Sequence, residues 1–141
     1  MDQLEQQRLA EIFAQTQNIA LVGASNRPER ASYEVMAYLL EQGFTVYPVN
    51  PQLAGAVIQG QTCVAELDEI SQPIELINVF RRGEYAAEIA EEAIEHDAKC
   101  LWLQEGVTCA AAAETAKEAD IEYVENLCIK KTHQRVTQAN G

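Results

Sequence analysis

The pattern of hydrophobic and polar positions alternates between two periods along the chain. Short continuous apolar runs of strand length are separated by segments in which apolar residues recur every three or four positions. The runs are NIALVGA, FTVYPVNP, IELINVF and CLWLQ, with shorter ones at AVI and IEYV. Helices are predicted over residues 2–16, 32–42, 84–97, 109–119 and about 126–136, with a short helical turn near AELDEI.

Continuous apolar strands between amphipathic helices are typical of a parallel sheet covered on both faces. We therefore predict one α/β domain over residues 1–141, with an N-terminal helix within 1–16 and a core over 17–136. Its fold is expected to be Rossmann-like and doubly wound, with a mainly parallel sheet of about five strands flanked by helices.

Residues with capping preferences stand at several predicted helix ends. Asp2 is a predicted N-cap of the first helix, and Thr108 is a predicted N-cap of the alanine-rich helix. Gly43 follows the second helix, where a residue free to adopt positive φ is favoured. These signals support the helical segments that the periodicity predicts.

The predicted topology also indicates where a ligand would bind. In doubly wound sheets, ligands sit outside the carboxyl ends of the strands, where the strand order reverses. The segments at those ends are polar and rich in Gly and Pro: GASNRPERAS, PVNP, FRRG and QEGVT. The site is therefore expected along this edge of the sheet.

The first of these segments, after the strand that ends near Val22, has the features of an anion-binding turn. Gly23 allows close approach of the backbone to a ligand, and Ser25 can donate to phosphate oxygens. The following helix offers unpaired N–H groups and the positive end of its dipole. Arg30 is expected to be the main cation, with Arg27 directed toward solvent. The segment alone is equally consistent with an ordinary turn in which Ser32 caps the helix.

The end of the second strand disfavours a nicotinamide dinucleotide. Such a site needs an Asp or Glu there for the ribose hydroxyls, whereas the chain has Val49-Asn50-Pro51. The glycine-rich fingerprint GxGxxG is absent as well, and no GKS or GKT indicates a P-loop.

The net charge of −12 makes nucleic-acid binding unfavourable, because a polyanion would be repelled. Against this background, Arg27, Arg30, Arg81 and Arg82 directly follow two predicted strands. They are either reserved for a small anionic ligand or are solvated loop charges. No apolar run approaches the length of a membrane span, and no secretory signal begins the sequence, so a cytoplasmic location is expected.

The four cysteines, at 63, 100, 109 and 128, form no CxxC and no metal-ligand spacing with His96 or His133. In a cytosolic chain they are expected to be reduced thiols, and no metal site is predicted. Cys100 begins the run CLWLQ and is expected to be a small core residue.

Several blocks in this order carry a family resemblance: VGAS, RPERASYEV, LLEQGFTVYPVNP, FRR, WLQEGV and CIKKTH. The chain resembles the small bacterial CoA-binding domain proteins, which are related to the N-terminal CoA-binding domain of the succinyl-CoA synthetase α-subunit. The resemblance covers roughly residues 17–135. It implies a Rossmann-like fold that binds coenzyme A, or an acyl-CoA, along the carboxyl ends of the strands.

The resemblance also implies which residues line the ligand. The first turn would surround the pyrophosphate, the segment from Pro48 to Pro51 would flank the adenosine end, and Phe80 with Arg81 would wall the same cleft. One departure is that Asn126-Leu127 stands where the family usually has an Asp-Arg pair. The full set of expected CoA-binding residues is Gly23, Ala24, Ser25, Arg27, Arg30, Ser32, Tyr33, Pro48, Asn50, Pro51, Phe80, Arg81, Arg82, Gln104, Cys128 and Lys130.

Evidence for catalysis in the sequence is slight. His133 is the one histidine expected near the ligand side, whereas His96 is expected to be solvated at a helix end. No nucleophile elbow or Ser–His–acid order occurs, so no catalytic residue is assigned. Cys128 is the one candidate nucleophile, and its alternative is a buried thiol that packs the last helix.

Two functions from different classes remain open. The first is a non-catalytic CoA or acyl-CoA binding protein that acts as a carrier, a sensor or a partner subunit. The second is a small nucleotide-dependent enzyme of the NAD(P) oxidoreductase type. The sequence leaves a protein partner or a homodimer open in either case.

Overall fold

The computed structural model describes residues 2–140, so Met1 and Gly141, the two ends of the predicted domain, lie outside the described residues. The chain alternates strands with helices from end to end. The helices are α1 Gln3–Ala14, α2 Ala31–Glu41, α3 Ala86–Glu95, α4 Ala110–Glu118 and α5 Ile129–Asn140. The strands are β1 Asn18–Val22, β2 Thr45–Val49, β3 Val57–Ile58, β4 Gln61–Thr62, β5 Leu76–Val79, β6 Cys100–Leu103 and β7 Glu122–Val124.

The main sheet has five strands in the order β2-β1-β5-β6-β7, and every neighbouring pair is parallel. This confirms the predicted Rossmann-like α/β fold. The chain moves from β1 to β2 in one direction and later enters β5 on the other side of β1. The strand order therefore reverses between β1 and β5, which is where a doubly wound sheet binds its ligands. The predicted short strand at AVI is one arm of the antiparallel hairpin β3–β4.

Alternate strand residues supply two hydrophobic cores, one on each face of the sheet. Ile19 and Leu21 of β1 face the core that α1, α2 and α5 cover. Ala20 and Val22 face the core beneath α3, α4 and the segment around Leu67. Because both faces are covered, the central strands β1, β5 and β6 are buried at almost every position, which is why the sequence shows continuous apolar runs. Cys100 is 1% exposed, as its position in such a run predicts.

The helix ends agree with the sequence in part. The Asp2 side chain accepts a hydrogen bond from Glu5 N at 2.7 Å, and Gly43 follows α2 with φ of +97°, so both predicted caps are confirmed. The predicted Thr108 cap is wrong, because α4 begins one residue later and its N-cap is Cys109. The Cys109 Sγ accepts from the backbone N of Ala112.

The last helix starts later than residue 126, where the sequence predicted it. Asn126 has φ of +57°, a conformation that no helix interior contains. Its Oδ1 accepts from Gly106 N at 2.7 Å, so the side chain ties the segment before α5 to the loop after β6. No helix within residues 2–140 is long and apolar enough to span a bilayer.

Candidate functional site

Two adjoining clefts open at the carboxyl edge of the sheet, on either side of the point where the strand order reverses. We call them the arginine cleft and the acidic cleft. Gly23, Asn50 and Gln52 line both, so the two clefts form one continuous surface. The arginine cleft has a volume of about 720 Å³ and is lined by Gly23, Ala24, Ser25, Asn26, Arg27, Arg30, Ala31, Ser32, Asn50, Gln52, Leu53 and Phe80.

The turn after β1 is held against the neighbouring strand by its own backbone. The N–H groups of Gly23 and Ala24 both donate to the carbonyl of Val49, at 2.9 and 3.2 Å. Gly23 has φ of +93°, in the left-handed region that favours glycine. The chain therefore turns sharply at the end of β1, and the residues that follow are directed over the start of α2.

These next residues give the arginine cleft its hydrogen-bond donors. Among the described residues, the backbone N–H groups of Ser25, Asn26, Ala31 and Ser32 have no acceptor, and all four residues line the cleft. Unpaired N–H groups at the start of a helix, together with the helix dipole, favour an anion. This part of the surface can therefore bind phosphate through the backbone alone.

Arg27 and Arg30 stand at the two ends of one tight turn. Arg30 N donates to Arg27 O at 3.0 Å, with Pro28 at the second position that such turns favour. Both residues line the arginine cleft and both are exposed, so the direction of the Arg27 side chain stays a prediction. Within residues 2–140, neither guanidinium lies within 4.0 Å of a carboxylate oxygen.

Ser32 belongs to the cleft and does not cap the helix. The N-cap of α2 is Arg30, which makes no side-chain cap hydrogen bond, so the alternative of a Ser32 cap is wrong. Ser32 is 6% exposed, yet its hydroxyl has no hydrogen-bond partner in the described part of the chain. An unpartnered hydroxyl on a residue that lines a cleft is available to a ligand.

Asn50 fixes the relative position of the turns after β1 and β2. Its Nδ2 donates to Ala24 O at 2.8 Å, and its Oδ1 accepts from Gln52 N at 2.9 Å. The first contact requires a donor, which a carboxylate cannot supply. This explains in structural terms why the second strand ends in Asn and lacks the acid typical of dinucleotide sites.

The acidic cleft lies on the other face of the sheet, between the end of β2 and α3, and has a volume of about 550 Å³. Burial raises the pKa of Glu92, and the nearby carboxylates Glu88 and Asp68 raise it further. The Arg81 guanidinium lies 4.0 Å from the centre of the Tyr85 ring. The lining residues are Val22, Gly23, Val49, Asn50, Pro51, Gln52, Ala65, Glu66, Leu67, Asp68, Arg81, Tyr85, Glu88, Ile89 and Glu92.

Some residues expected at the site lie outside both clefts. Pro48 is buried within β2, where it is opposite Leu21, and its carbonyl accepts from Val64 N. Arg82 is 81% exposed and lies 3.5 Å from Glu84. Tyr33 is half-buried against the core beneath α2. The clefts bring together the remaining expected residues that follow β1, β2 and β5: Gly23, Ala24, Ser25, Arg27, Arg30, Ser32, Asn50, Pro51, Phe80 and Arg81.

Three further expected residues cluster at the start of α5 and line neither cleft. Gln104 is buried, and its Oε1 accepts from Ile129 N at 3.2 Å and from Asn78 Nδ2 at 3.3 Å. Cys128 is half-buried and directly precedes Ile129, the first residue of α5. Lys130 donates to Glu34 of α2 at 2.8 Å, and this hydrogen bond raises the pKa of Lys130 and lowers that of Glu34. Their contact with a ligand stays a prediction.

Neither histidine lines either cleft. His133 is 7% exposed, with its Nδ1 2.6 Å from the Tyr38 hydroxyl and its ring edge-on to Phe13 and Phe44. The expectation that it lies near the ligand side is wrong, because one helical turn carries it from the start of α5 into the core. His96 is also less solvated than expected, since it contacts Asp68 at 3.0 Å.

The sequence analysis did not predict the carboxylates that line the acidic cleft, nor Gln52. Glu88 and Glu92 stood in the sequence as ordinary exposed helix positions, and only the packing of α3 beside the residue 65–69 segment brings them to the cleft. Their spacing of four residues, on one face of a helix, was the one available signal. No group of three His, Cys, Asp or Glu side chains within the described residues is arranged to hold a metal ion.

Comparison with known proteins gives relatives along nearly the whole chain. A family model described as a CoA binding domain matches residues 17–134. The chain is 38% identical over 125 residues to the uncharacterized protein YneT of Bacillus subtilis (strain 168), covering 89% of this chain and 91% of YneT.

Two solved structures extend the comparison. A hypothetical protein from Pyrococcus horikoshii OT3 has a TM-score of 0.89 at 36% identity, covering 94% of this chain and 92% of that chain. The apo form of a dinucleotide-forming acetyl-coenzyme A synthetase 1 from Ca. Korarchaeum cryptofilum has a TM-score of 0.65 at 17% identity, covering 77% of this chain and 26% of that one. The second likeness shows the shared fold alone.

Proposed function

The chain belongs to the CoA binding domain family, and we propose that it binds coenzyme A or an acyl-CoA across the two clefts without catalysing its conversion. The observation that carries the proposal is the lining of the arginine cleft. It combines four backbone N–H groups that lack acceptors with two guanidinium groups that lack carboxylate partners among the described residues. Such a surface is complementary to a diphosphate.

The charges of the two clefts give the ligand an orientation. The diphosphate lies over the start of α2, where Arg30 and the Ser32 hydroxyl meet it. The adenosine then passes Gly23 and Asn50 into the acidic cleft. There the exocyclic amine of adenine can donate to carboxylates, and the paired Arg81 and Tyr85 offer a flat surface for the base.

The residues at the end of β2 argue against a nicotinamide dinucleotide as the ligand. Asn50 uses its amide nitrogen for Ala24 O, and neither Pro51 nor Gln52 supplies the acid that the ribose hydroxyls require. The candidate nucleophile Cys128 lies outside the lining of both clefts, which supports binding without turnover.

Native mass spectrometry of the purified protein, followed by calorimetric titration, tests the proposal. We expect coenzyme A to co-purify or to bind on titration, and NAD and NADH to bind much more weakly. The Lys99→Gln variant is a matched control, because it removes one cation at the opposite end of the sheet and should leave binding unchanged. NAD affinity equal to or tighter than that of CoA, or oxidation of NADH by the protein, would instead support an oxidoreductase.

A further inference from the structure

We propose that Arg27 recognises the 3′-phosphate of coenzyme A, while Arg30 recognises the diphosphate, so that the protein selects CoA over dephospho-CoA. This inference rests on the proposed function. It assigns separate tasks to two arginines that stand at opposite ends of one turn.

The first argument is the arrangement of the turn. Arg30 directly precedes α2 and therefore lies next to the N–H groups of Ala31 and Ser32. Arg27 stands three residues earlier, at the other end of the hydrogen-bonded turn, and its own N–H is taken by Ser25 Oγ at 3.1 Å. Proline at position 28 holds the backbone between them in one conformation. The two guanidinium groups thus extend from separate, fixed points around the same cleft.

The second argument is the number of donors available to the diphosphate. The four unpaired backbone N–H groups, the Ser32 hydroxyl and the Arg30 guanidinium together offer several donors to two adjoining phosphates. Arg27 is then left as a second cation, which can bind a separate anionic group of the ligand. Coenzyme A carries one such group, the monophosphate on the 3′-oxygen of its ribose.

The third argument is the charge of the neighbouring cleft. Glu66, Asp68, Glu88 and Glu92 line the acidic cleft, and Arg81 is its one cationic lining residue in the described chain. A phosphate directed there would meet like charges at close range. The ribose lies at the junction of the clefts, near Gln52, so its 3′-phosphate is favoured on the arginine side, where Arg27 is found.

Calorimetric titration with CoA and with dephospho-CoA tests this division. Arg27→Gln should weaken CoA binding roughly tenfold to a hundredfold and leave dephospho-CoA affinity nearly unchanged. Arg30→Gln should weaken both ligands by a similar factor and preserve their ratio. Lys99→Gln, which makes the same change in net charge at the opposite end of the sheet, should alter neither affinity. Thermal unfolding of each variant without ligand establishes that the fold is intact.

The outcomes separate this inference from the function on which it rests. If the wild type binds CoA and dephospho-CoA equally, or if Arg27→Gln weakens both alike, the assignment of Arg27 is overturned while CoA binding stands. If the folded wild type binds neither ligand, the proposed function fails, and this inference fails with it. Loss of selectivity in Arg30→Gln rather than in Arg27→Gln would reverse the two assignments.

Discussion

A methyl group placed on Gly23 would lie 3.1 Å from the Cβ of Phe80. These residues follow β1 and β5, the two strands between which the strand order reverses, and Phe80 N donates to Val22 O at 2.8 Å. The close approach lets the turn after β1 fold against the end of β5. Glycine at position 23 is therefore required both for its positive φ and for the space it leaves.

Replacing Gly23 with alanine should reduce both stability and CoA affinity. The left-handed conformation costs about 1–2 kcal/mol for a residue with a Cβ, and the contact with Phe80 adds to this cost. Gly43→Ala is the matched control, because Gly43 has φ of +97° and nothing within 4 Å of its ideal Cβ. Urea denaturation should show a larger loss for Gly23→Ala, and only that variant should bind CoA more weakly. Equal losses of stability would argue against the crowding at Phe80.

A second glycine brings the loops after β5 and β6 together. The ideal Cβ of Gly83 would overlap the carbonyl oxygen of Thr108, which belongs to the backbone and cannot rotate away. We expect Gly83→Ala to separate the two loops and to lower the unfolding free energy by about 1–3 kcal/mol. Gly106→Ala, in the neighbouring loop with open space around its Cβ, measures the positive-φ cost alone. A Gly83→Ala protein as stable as the wild type would contradict the close packing of these loops.

The sequence predicted the fold well because most of the evidence was local. The apolar run IELINVF predicts a buried strand, and the helical repeat around Ile89 predicts a helix with one buried face. The alternation of such segments implies a parallel sheet. Most of the arginine cleft was likewise predictable, because the majority of its lining residues lie close together in sequence, between Gly23 and Ser32. The predicted cap at Thr108 missed by one position, because Thr108 and Cys109 both precede the alanine run and only the packing of α4 decides where the helix begins.

The acidic cleft and His133 were beyond local reasoning. The cleft wall joins Asp68 to Glu92, and only tertiary packing decides that these residues share a surface. His133 follows CIKK closely in sequence, but its direction depends on the rotation of α5, which buries the ring against Phe13 of α1. Both cases depend on contacts between distant segments, which hydrophobic periodicity does not report.

The role of Asn50 at the end of β2 can be tested by removing its hydrogen bond to Ala24 O. Asn50→Asp would replace the donor to Ala24 O with a second acceptor, so we expect a loss of about 1–3 kcal/mol in unfolding free energy. It should also fail to create NAD binding, since the turn itself is disturbed. Gln52→Glu introduces the same charge into the same clefts and removes no side-chain hydrogen bond found in the structure, so its stability should change little. A stable Asn50→Asp protein would show that the contact with Ala24 is dispensable.

Burial lowers the pKa of His133, and the sign of the resulting pH dependence follows from this shift. Above the unfolded-state value of about 6.5 the histidine is neutral in both states, and its contribution to stability is complete. As the pH falls, the unfolded chain binds the proton first, so stability is lost from about pH 6.5 down through the folded-state pKa. Among the described residues, the titratable group in contact with the ring is Tyr38; burial raises the pKa of Tyr38, which stays protonated throughout this range.

Urea denaturation between pH 8 and pH 5 measures this loss directly. His133→Gln should flatten the dependence, whereas His96→Gln should retain it. Burial raises the pKa of Glu92, which acts in the opposite direction, and the difference between wild type and variant removes that contribution. In an NMR titration of the two imidazoles, a His133 signal that titrates at or above 6.5 would contradict the expectation.

The last prediction concerns the thiol at the start of α5. Cys128 is half-buried, and its carbonyl accepts the helix hydrogen bond of Thr132 N at 2.9 Å. Cys63 and Cys100 are each 1% exposed, and burial raises the pKa of Cys100 to about 12. We expect oxidised CoA to label Cys128 selectively, since a thiolate must reach the disulfide to react. The Cys128 thiolate would bond to one sulfur of the CoA disulfide, and the other CoA would leave as a thiolate.

Intact mass measurement before and after reduction detects the adduct. Cys109 provides the matched control, because it is half-buried like Cys128 but lies at the start of a different helix, α4. Cys109→Ser should keep the labelling, and Cys128→Ser should lose it. Prior addition of excess acetyl-CoA, which has no free thiol to reverse the exchange, should slow the reaction by occupying the proposed ligand site. Equal labelling of the two variants, or no adduct in the wild type, would leave Cys128 with only its packing role beside Leu127 and the core.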